Sequence, residues 1–224
     1  MRKAYFIIVI LLLYTAQACA DKPDYELLKK EIEDKRVYIS KEYSKASGRQ
    51  RDSILNATHN YLFNTLINNI FVAWYDTPWD FNGHTKIPGK GTIACGYFVA
   101  TTLQDVGFKL PRIKWAQMES EKIIQKLSTD VKRFHNVKMN EIVKHINDKG
   151  DGLYIVGLDR HVGFISKQGS KLQFIHSNYY RPEKGVMTEA LVGWNPLNDS
   201  KYRVIGKILN NDMVVKWISG YNYD

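Results

Sequence analysis

Cysteine is scarce in this chain. Among 224 residues only Cys19 and Cys95 occur, and Cys19 lies inside an N-terminal segment with the marks of a cleaved leader. If that segment is removed, Cys95 stands alone and no internal disulfide can form. Long hydrophobic runs are lacking too. The apolar stretch Tyr5–Tyr14 is too short to span a bilayer. There is no internal repeat or low-complexity tract, which speaks against solenoids and disordered tails. Zinc-finger spacing, an RNA-binding signature and basic repeats are missing, so nucleic acid is not expected as a partner. No close-spaced pair of metal ligands sits on a helix or knuckle. A zinc site is therefore disfavoured, and neither metal nor cofactor is expected.

The N-terminus reads as a secretory signal. Arg2 and Lys3 form a positive start, the apolar stretch follows, and Thr15-Ala16-Gln17-Ala18-Cys19-Ala20 supplies small residues for cleavage after Ala18 or Ala20. Cys19 is also where a bacterial lipid anchor would attach and tether the protein to a membrane, although Ala16 stands where a larger aliphatic residue is usual. Export to the periplasm, cell envelope or medium is expected. Loss of residues 1–20 removes two basic residues and leaves 30 basic against 23 acidic, a net charge of +7 instead of +9. Positive charge in an exported protein suits anionic surfaces such as cell wall. A solvated surface would explain it equally.

The division expected is a leader (1–20), a helical extension (21–74) and a main domain (75–224), with the protein a monomer. Helical spacing of apolar residues predicts helices over Asp24–Tyr43 and Asp52–Trp74. A Pro- and Gly-rich loop runs from Asp76 to Gly91. A helix follows from Cys95 to Val106, stopped by Gly107, and further helices over Trp115–Leu127 and Lys138–Asp148. Strands are predicted at Leu153–Gly157, His161–Lys167, Lys171–His176, Val186–Thr188 and Tyr202–Leu209, with a last one at Met213–Ile218. Helices first and antiparallel strands afterwards make an α+β fold.

Taking Gln168-Gly169 as a two-residue hairpin loop sets a register. Lys167 then opposes Ser170, and His161 opposes His176. Directly opposed residues share a face, with Cβ atoms ~4.5–5.5 Å apart. Gly163 and Ile165 would lie on that face, and the apolar stripe of the Cys95 helix would cover it. Such packing puts a thiol at a helix start beside an imidazole. Both the helix N-terminus and an imidazolium favour a thiolate. His161 would then be base and acid to the Cys95 nucleophile, and His176 would orient His161. One strand histidine alone is more often a satisfied structural residue; two in opposition, with a thiol, reverse that balance.

In order and local sequence these residues resemble the NlpC-type papain-like cysteine peptidases, which cut peptides of bacterial cell wall. The family's D-C-S-G-F-like helix start is similar to Ala94-Cys95-Gly96-Tyr97-Phe98. Its G-D-L and H-V-G-I strands are similar to Gly150-Asp151-Gly152-Leu153 and His161-Val162-Gly163-Phe164, and its F-I-H-A to Phe174-Ile175-His176-Ser177. Its later elements resemble Gly185-Val186, Trp194 and Tyr202–Gly206. An upstream T-P-Y-x-W-G-G resembles Thr77-Pro78-Trp79-Asp80-Phe81-Asn82-Gly83. The likeness runs from Asp76 to Leu209.

The resemblance implies a nucleophile helix packed on an antiparallel sheet, with Cys95, His161 and His176 as catalytic set. It also implies an oxyanion hole made by the cysteine's own N–H and a side-chain donor. That donor is a tyrosine in the family and Trp79 here. It implies hydrolysis of peptidoglycan peptides through a thioester. Ala94 and Gly96 depart from the acidic residue and serine with which the family recognises a free amino terminus, so the usual γ-D-glutamyl–diaminopimelate specificity lacks support here. Two alternatives stand beside this one. In a CHAP-type amidase Asn178, two residues on along the same face, would replace His176. A wall-binding module would keep the scaffold and have lost the chemistry.

Overall fold

The structure, a computed structural model, describes residues 24–224. The leader, its cleavage sites and Cys19 lie outside the described residues. Among those described, no helix is long and apolar enough to cross a membrane.

The fold is α+β, with a six-stranded antiparallel sheet packed among helices. Helix α1 (Tyr25–Lys45) is capped by Asp24, whose carboxylate accepts from the Glu26 and Leu27 N–H groups. Helix α2 (Gly48–Thr65) runs through a π-helical turn at Leu66–Ile70 into α3 (Phe71–Trp74). After a long loop come α4 (Cys95–Asp105), α5 (Arg112–Ala116) and α6 (Ser120–Leu127). The single helix expected over Trp115–Leu127 is thus two, broken between Ala116 and Ser120. Strand β1 (Val131–His135), α7 (Met139–Lys149), β2 (Gly152–Leu158), β3 (Val162–Gln168), β4 (Lys171–Asn178) and β5 (Gly185–Glu189) follow. The chain ends with α8 (Pro196–Asp199), β6 (Tyr202–Lys207) and α9 (Asn211–Ser219).

The sheet order is β1-β6-β2-β3-β4-β5. Strand β1 was not expected, because Val131-Lys132-Arg133-Phe134-His135 carries little apolar signal. It is an edge strand, and edges carry charge that discourages further pairing. Met213–Ile218, expected as a strand, is the body of α9. Asn210 accepts from Met213 N–H at 2.9 Å, Gly220 ends the helix in the left-handed region (φ +65°), and Met213, Val214, Trp217 and Ile218 line one face. The caps, not the apolar run, distinguish helix from strand there.

Apolar side chains cover both faces of the sheet. On one, Phe98, Val99 and Leu103 of α4 join Phe164, Ile175 and Val204, and the same cluster takes in Ile32, Leu62, Phe71 and Trp217. On the other, Ile142 and Ile146 of α7 and Leu197 of α8 meet Tyr154, Ile165, Phe174 and Ile205. Every residue of β2 is buried. This is why β2 reads as a continuous apolar run instead of an alternation.

The β3–β4 register differs from expectation by two. Gln168 pairs with Lys171 and Phe164 with Ile175, so the loop is Gly169-Ser170. Asp151 fixes it. Its carboxylate accepts from Gly169 N–H at 2.9 Å and from Lys167 Nζ at 3.0 Å. A shift of two preserves which face each side chain occupies, so the two histidines still share one. A second expectation fails. Helix α4 covers the face of Val162, Phe164 and Ile175, not that of Gly163 and Ile165. The bareness of Gly163 serves a different neighbour: a Cβ there would lie 2.7 Å from the Phe174 ring and 2.9 Å from His176 Cβ.

Candidate active site

Cys95 is the first residue of α4 and Ala94 its N-cap, with no side chain capping the helix end. Two contacts hold this corner. Ser177 Oγ donates to Ile93 carbonyl at 2.6 Å, tying β4 to the segment before Cys95. Gly96 lies so close to α5 that a Cβ would collide with the Ala116 carbonyl. A serine at this position therefore has no room, and the space its side chain would use is filled by backbone.

His161 stands just before β3, at the end of the tight turn in which Leu158 N–H donates to His161 carbonyl at 2.8 Å. Asp159, within that turn, accepts from the Lys201 and Tyr202 N–H groups and braces it. His161 and His176 are both buried. Their rings meet edge to face, with His161 Nε2 2.8 Å from His176 Nδ1. The Phe174 ring stacks on His176 at 4.0 Å. His176 Nε2 lies 2.8 Å from Glu189 Oε1, and Arg181 reaches the other oxygen of Glu189 at 3.7 Å.

Cys95, His161, Trp79 and Tyr179 line one cavity of about 530 Å³, together with Tyr97 and Arg160. A second hollow of about 410 Å³ shares Cys95, Gly96, Ala116, Arg160 and His161 and extends past Ser120 toward Tyr202. The thiol thus lies where two arms of a cleft join. Two residues that line the first arm each carry a buried polar atom with no partner among the described residues: His161 Nδ1 and Trp79 Nε1. The Trp79 loop is itself pinned, by Trp79 N–H to Pro182 carbonyl at 2.7 Å and Ile93 N–H to Pro78 carbonyl at 2.9 Å.

Burial pushes the Cys95 thiol up. The backbone N–H groups of Val162, Gly96 and Cys95 favour the thiolate and offset part of that rise. Burial holds His161 well below the ordinary imidazole range, and His176 adds to the effect. His176 is pushed down to about 3 by burial and then by Arg181. The expected thiolate–imidazolium pair is therefore not the resting state these surroundings favour. A helix N-terminus lowers a thiol's pKa, but desolvation here works against it and favours the thiol and the neutral imidazole over the charged forms.

Asn178, the alternative orienting residue, is fully buried and engaged elsewhere. Its Oδ1 accepts from the Tyr180 and Arg181 N–H groups, and its Nδ2 faces Met187 Sδ. Among the described residues no group of three His, Cys, Asp or Glu side chains has the geometry to hold a metal ion. Glu189 and Tyr179 were not anticipated. Tyr179, beyond the expected end of β4, packs edge to face on His161 at 5.1 Å and tilted against Trp79 at 5.9 Å. Glu189 lies one residue past the expected end of β5. Alternation from Met187, which pairs with His176, would have put it on the histidine face.

Comparison of the chain with protein-family models, with curated proteins and with solved structures gives no match.

Proposed function

We propose that this protein is an exported cysteine hydrolase with a papain-like, NlpC-type core that cleaves amide bonds in peptidoglycan peptides. One observation carries the chemistry. Cys95 and His161 line a common cavity, and His161 is held at Nε2 by His176 while its buried Nδ1 has no partner among the described residues. An unpaired buried nitrogen costs ~1–3 kcal/mol and is tolerated where a reacting group completes it. In this reading Cys95 Sγ–H gives its proton to His161 Nδ1 as sulfur attacks the carbonyl carbon. The developing oxyanion takes hydrogen bonds from Cys95 N–H and Trp79 Nε1. His161 passes the proton to the leaving amine, and a thioester remains. Water, deprotonated by His161, then releases the acid and restores the thiol.

Substrate class rests on the order of the motifs between Asp76 and Leu209 and on the leader-like N-terminus. Closure of the Gly96 position by Ala116 and the lack of a carboxylate at Ala94 argue against recognition of a free amino terminus by the family's route. The cavity offers aromatic rings and Arg160 in their place. Purified wall fragments incubated with the protein should yield new amine and carboxylate ends, and Cys95→Ala should yield none. Equal cleavage by the variant would end this reading. The wall-binding alternative has in its favour that burial disfavours both the thiolate and the imidazolium. It predicts that the wild-type protein is retained on wall without releasing fragments.

A further inference from the structure

We infer that Glu189 is a positioning residue that sets the tautomers of both histidines and so leaves His161 Nδ1 bare to receive the Cys95 proton. The inference rests on the hydrolase reading above.

Hydrogen-bond directionality carries it. An ionised carboxylate only accepts. With Glu189 Oε1 2.8 Å from His176 Nε2, that nitrogen must carry the hydrogen. A neutral imidazole has one N–H, so His176 Nδ1 is then an acceptor. Its neighbour at 2.8 Å, His161 Nε2, must therefore be the donor. The proton of neutral His161 thus sits on Nε2, and Nδ1 holds a lone pair. That is the buried nitrogen with no partner among the described residues, on a residue that lines the Cys95 cavity. In the opposite polarity His176 Nδ1 would donate to His161 Nε2, and His161 Nδ1 would carry hydrogen. It could then not accept from the thiol. Both polarities satisfy the bond between the histidines equally, so that pair alone cannot choose. The carboxylate at its end does.

The fold supports this assignment. Glu189 pairs with Phe174 across β4–β5, which puts it on the same face as His176, diagonally adjacent. Burial raises the Glu189 carboxyl, and Arg181 at 3.7 Å from Oε2 offsets part of that rise in favour of the ionised form. Phe174 stacked on His176 keeps the ring from turning over and exchanging its nitrogens. When His161 takes the thiol proton, its Nε2–H still donates to His176, and the imidazolium faces a string of acceptors ending in a negative charge.

Nitrogen-15 NMR of the histidine rings tests this in the unaltered protein. His161 and His176 should each carry hydrogen on Nε2 and none on Nδ1. A hydrogen on His176 Nδ1 at neutral pH would overturn the inference. Glu189→Gln preserves shape but can donate as well as accept. It should mix the tautomers of both rings and lower kcat about 10²-fold, the low end of what positioned proton transfer contributes, with KM unchanged. Unmixed tautomers or an unchanged kcat in that variant would remove Glu189 from the role. The ring tautomers need no substrate. If wall fragments prove inert, the tautomers still decide for or against Glu189, and it is the hydrolase reading that falls.

Discussion

The two ends of the candidate site differ in one respect that organises its chemistry. At the inner end every polar group is paired: His176 with His161 and Glu189, Glu189 with Arg181, Asn178 with the Tyr180 and Arg181 N–H groups. At the outer end, where Cys95 meets the cavity, His161 Nδ1 and Trp79 Nε1 are buried and have no partner among the described residues. Paired groups hold a geometry. Unpaired buried ones are a standing cost that only a ligand or a reacting atom can relieve. Substitutions at the outer end should therefore act on turnover, and those at the inner end on orientation and stability.

The largest effect should come from the outer end. Cys95→Ala removes the proposed nucleophile, and release of fragments from wall should vanish while the circular dichroism spectrum stays the same. Next, Trp79→Phe keeps the ring and deletes one donor. Initial rates on wall peptides should fall ~10²–10³-fold, as for loss of one oxyanion-hole donor. A rate within a factor of two of wild type would take Trp79 out of the oxyanion hole.

At the inner end, His176→Ala and Asn178→Ala separate two kinds of pairing. His176→Ala should lower kcat, because His161 loses the partner of its Nε2. Asn178→Ala should instead lower unfolding free energy by ~1–3 kcal/mol, leaving two loop N–H groups without their acceptor. Urea unfolding and kcat measured on both variants check this. If the greater kcat loss falls on Asn178→Ala, the amidase alternative takes precedence.

A smaller effect concerns pH. His161 and His176 have folded pKa values below the unfolded ~6.5. Above pH ~6.5 neither folded nor unfolded chain binds these protons, and their contribution to stability is whole. As pH falls below that value the unfolded chain binds protons that the buried rings refuse. Stability then declines toward the folded value, about 3 for His176. Burial raises Glu189, and raises Asp105 to about 6, and these carboxyls act with the opposite sign. The difference between variants therefore isolates the histidines. Between pH 6 and 4, His161→Gln should lose less stability than wild type, by on the order of 1 kcal/mol per pH unit. Parallel curves would mean that His161 is not held neutral.

The thiol gives the last comparison. Cys95 alkylation by iodoacetamide should be slow at pH 7 and accelerate only above the ordinary thiol value of ~8.5, with little change in His161→Ala. Fast alkylation at pH 6 that is lost in His161→Ala would restore the ion pair that burial argues against.

Much of the architecture is local and legible in the residues themselves. Apolar spacing and the stop at Gly107 define the Cys95 helix. The β-rich run after Gly150 defines the strand that His161 immediately precedes and the strand that bears His176. Period two keeps both histidines on one face even when the loop moves from Gln168-Gly169 to Gly169-Ser170. Tertiary structure alone decided the rest. Asp151, distant in sequence from the turn it anchors, chose the register. Burial on both faces erased the alternation in β2 that could have told which face α4 covers. The pairing of β4 with β5 placed Glu189 behind His176 across a loop whose path no local pattern fixes. Desolvation also depends on what the whole fold packs around a group. A thiol at a helix start therefore looked acidic in sequence, while the folded site pushes its pKa up.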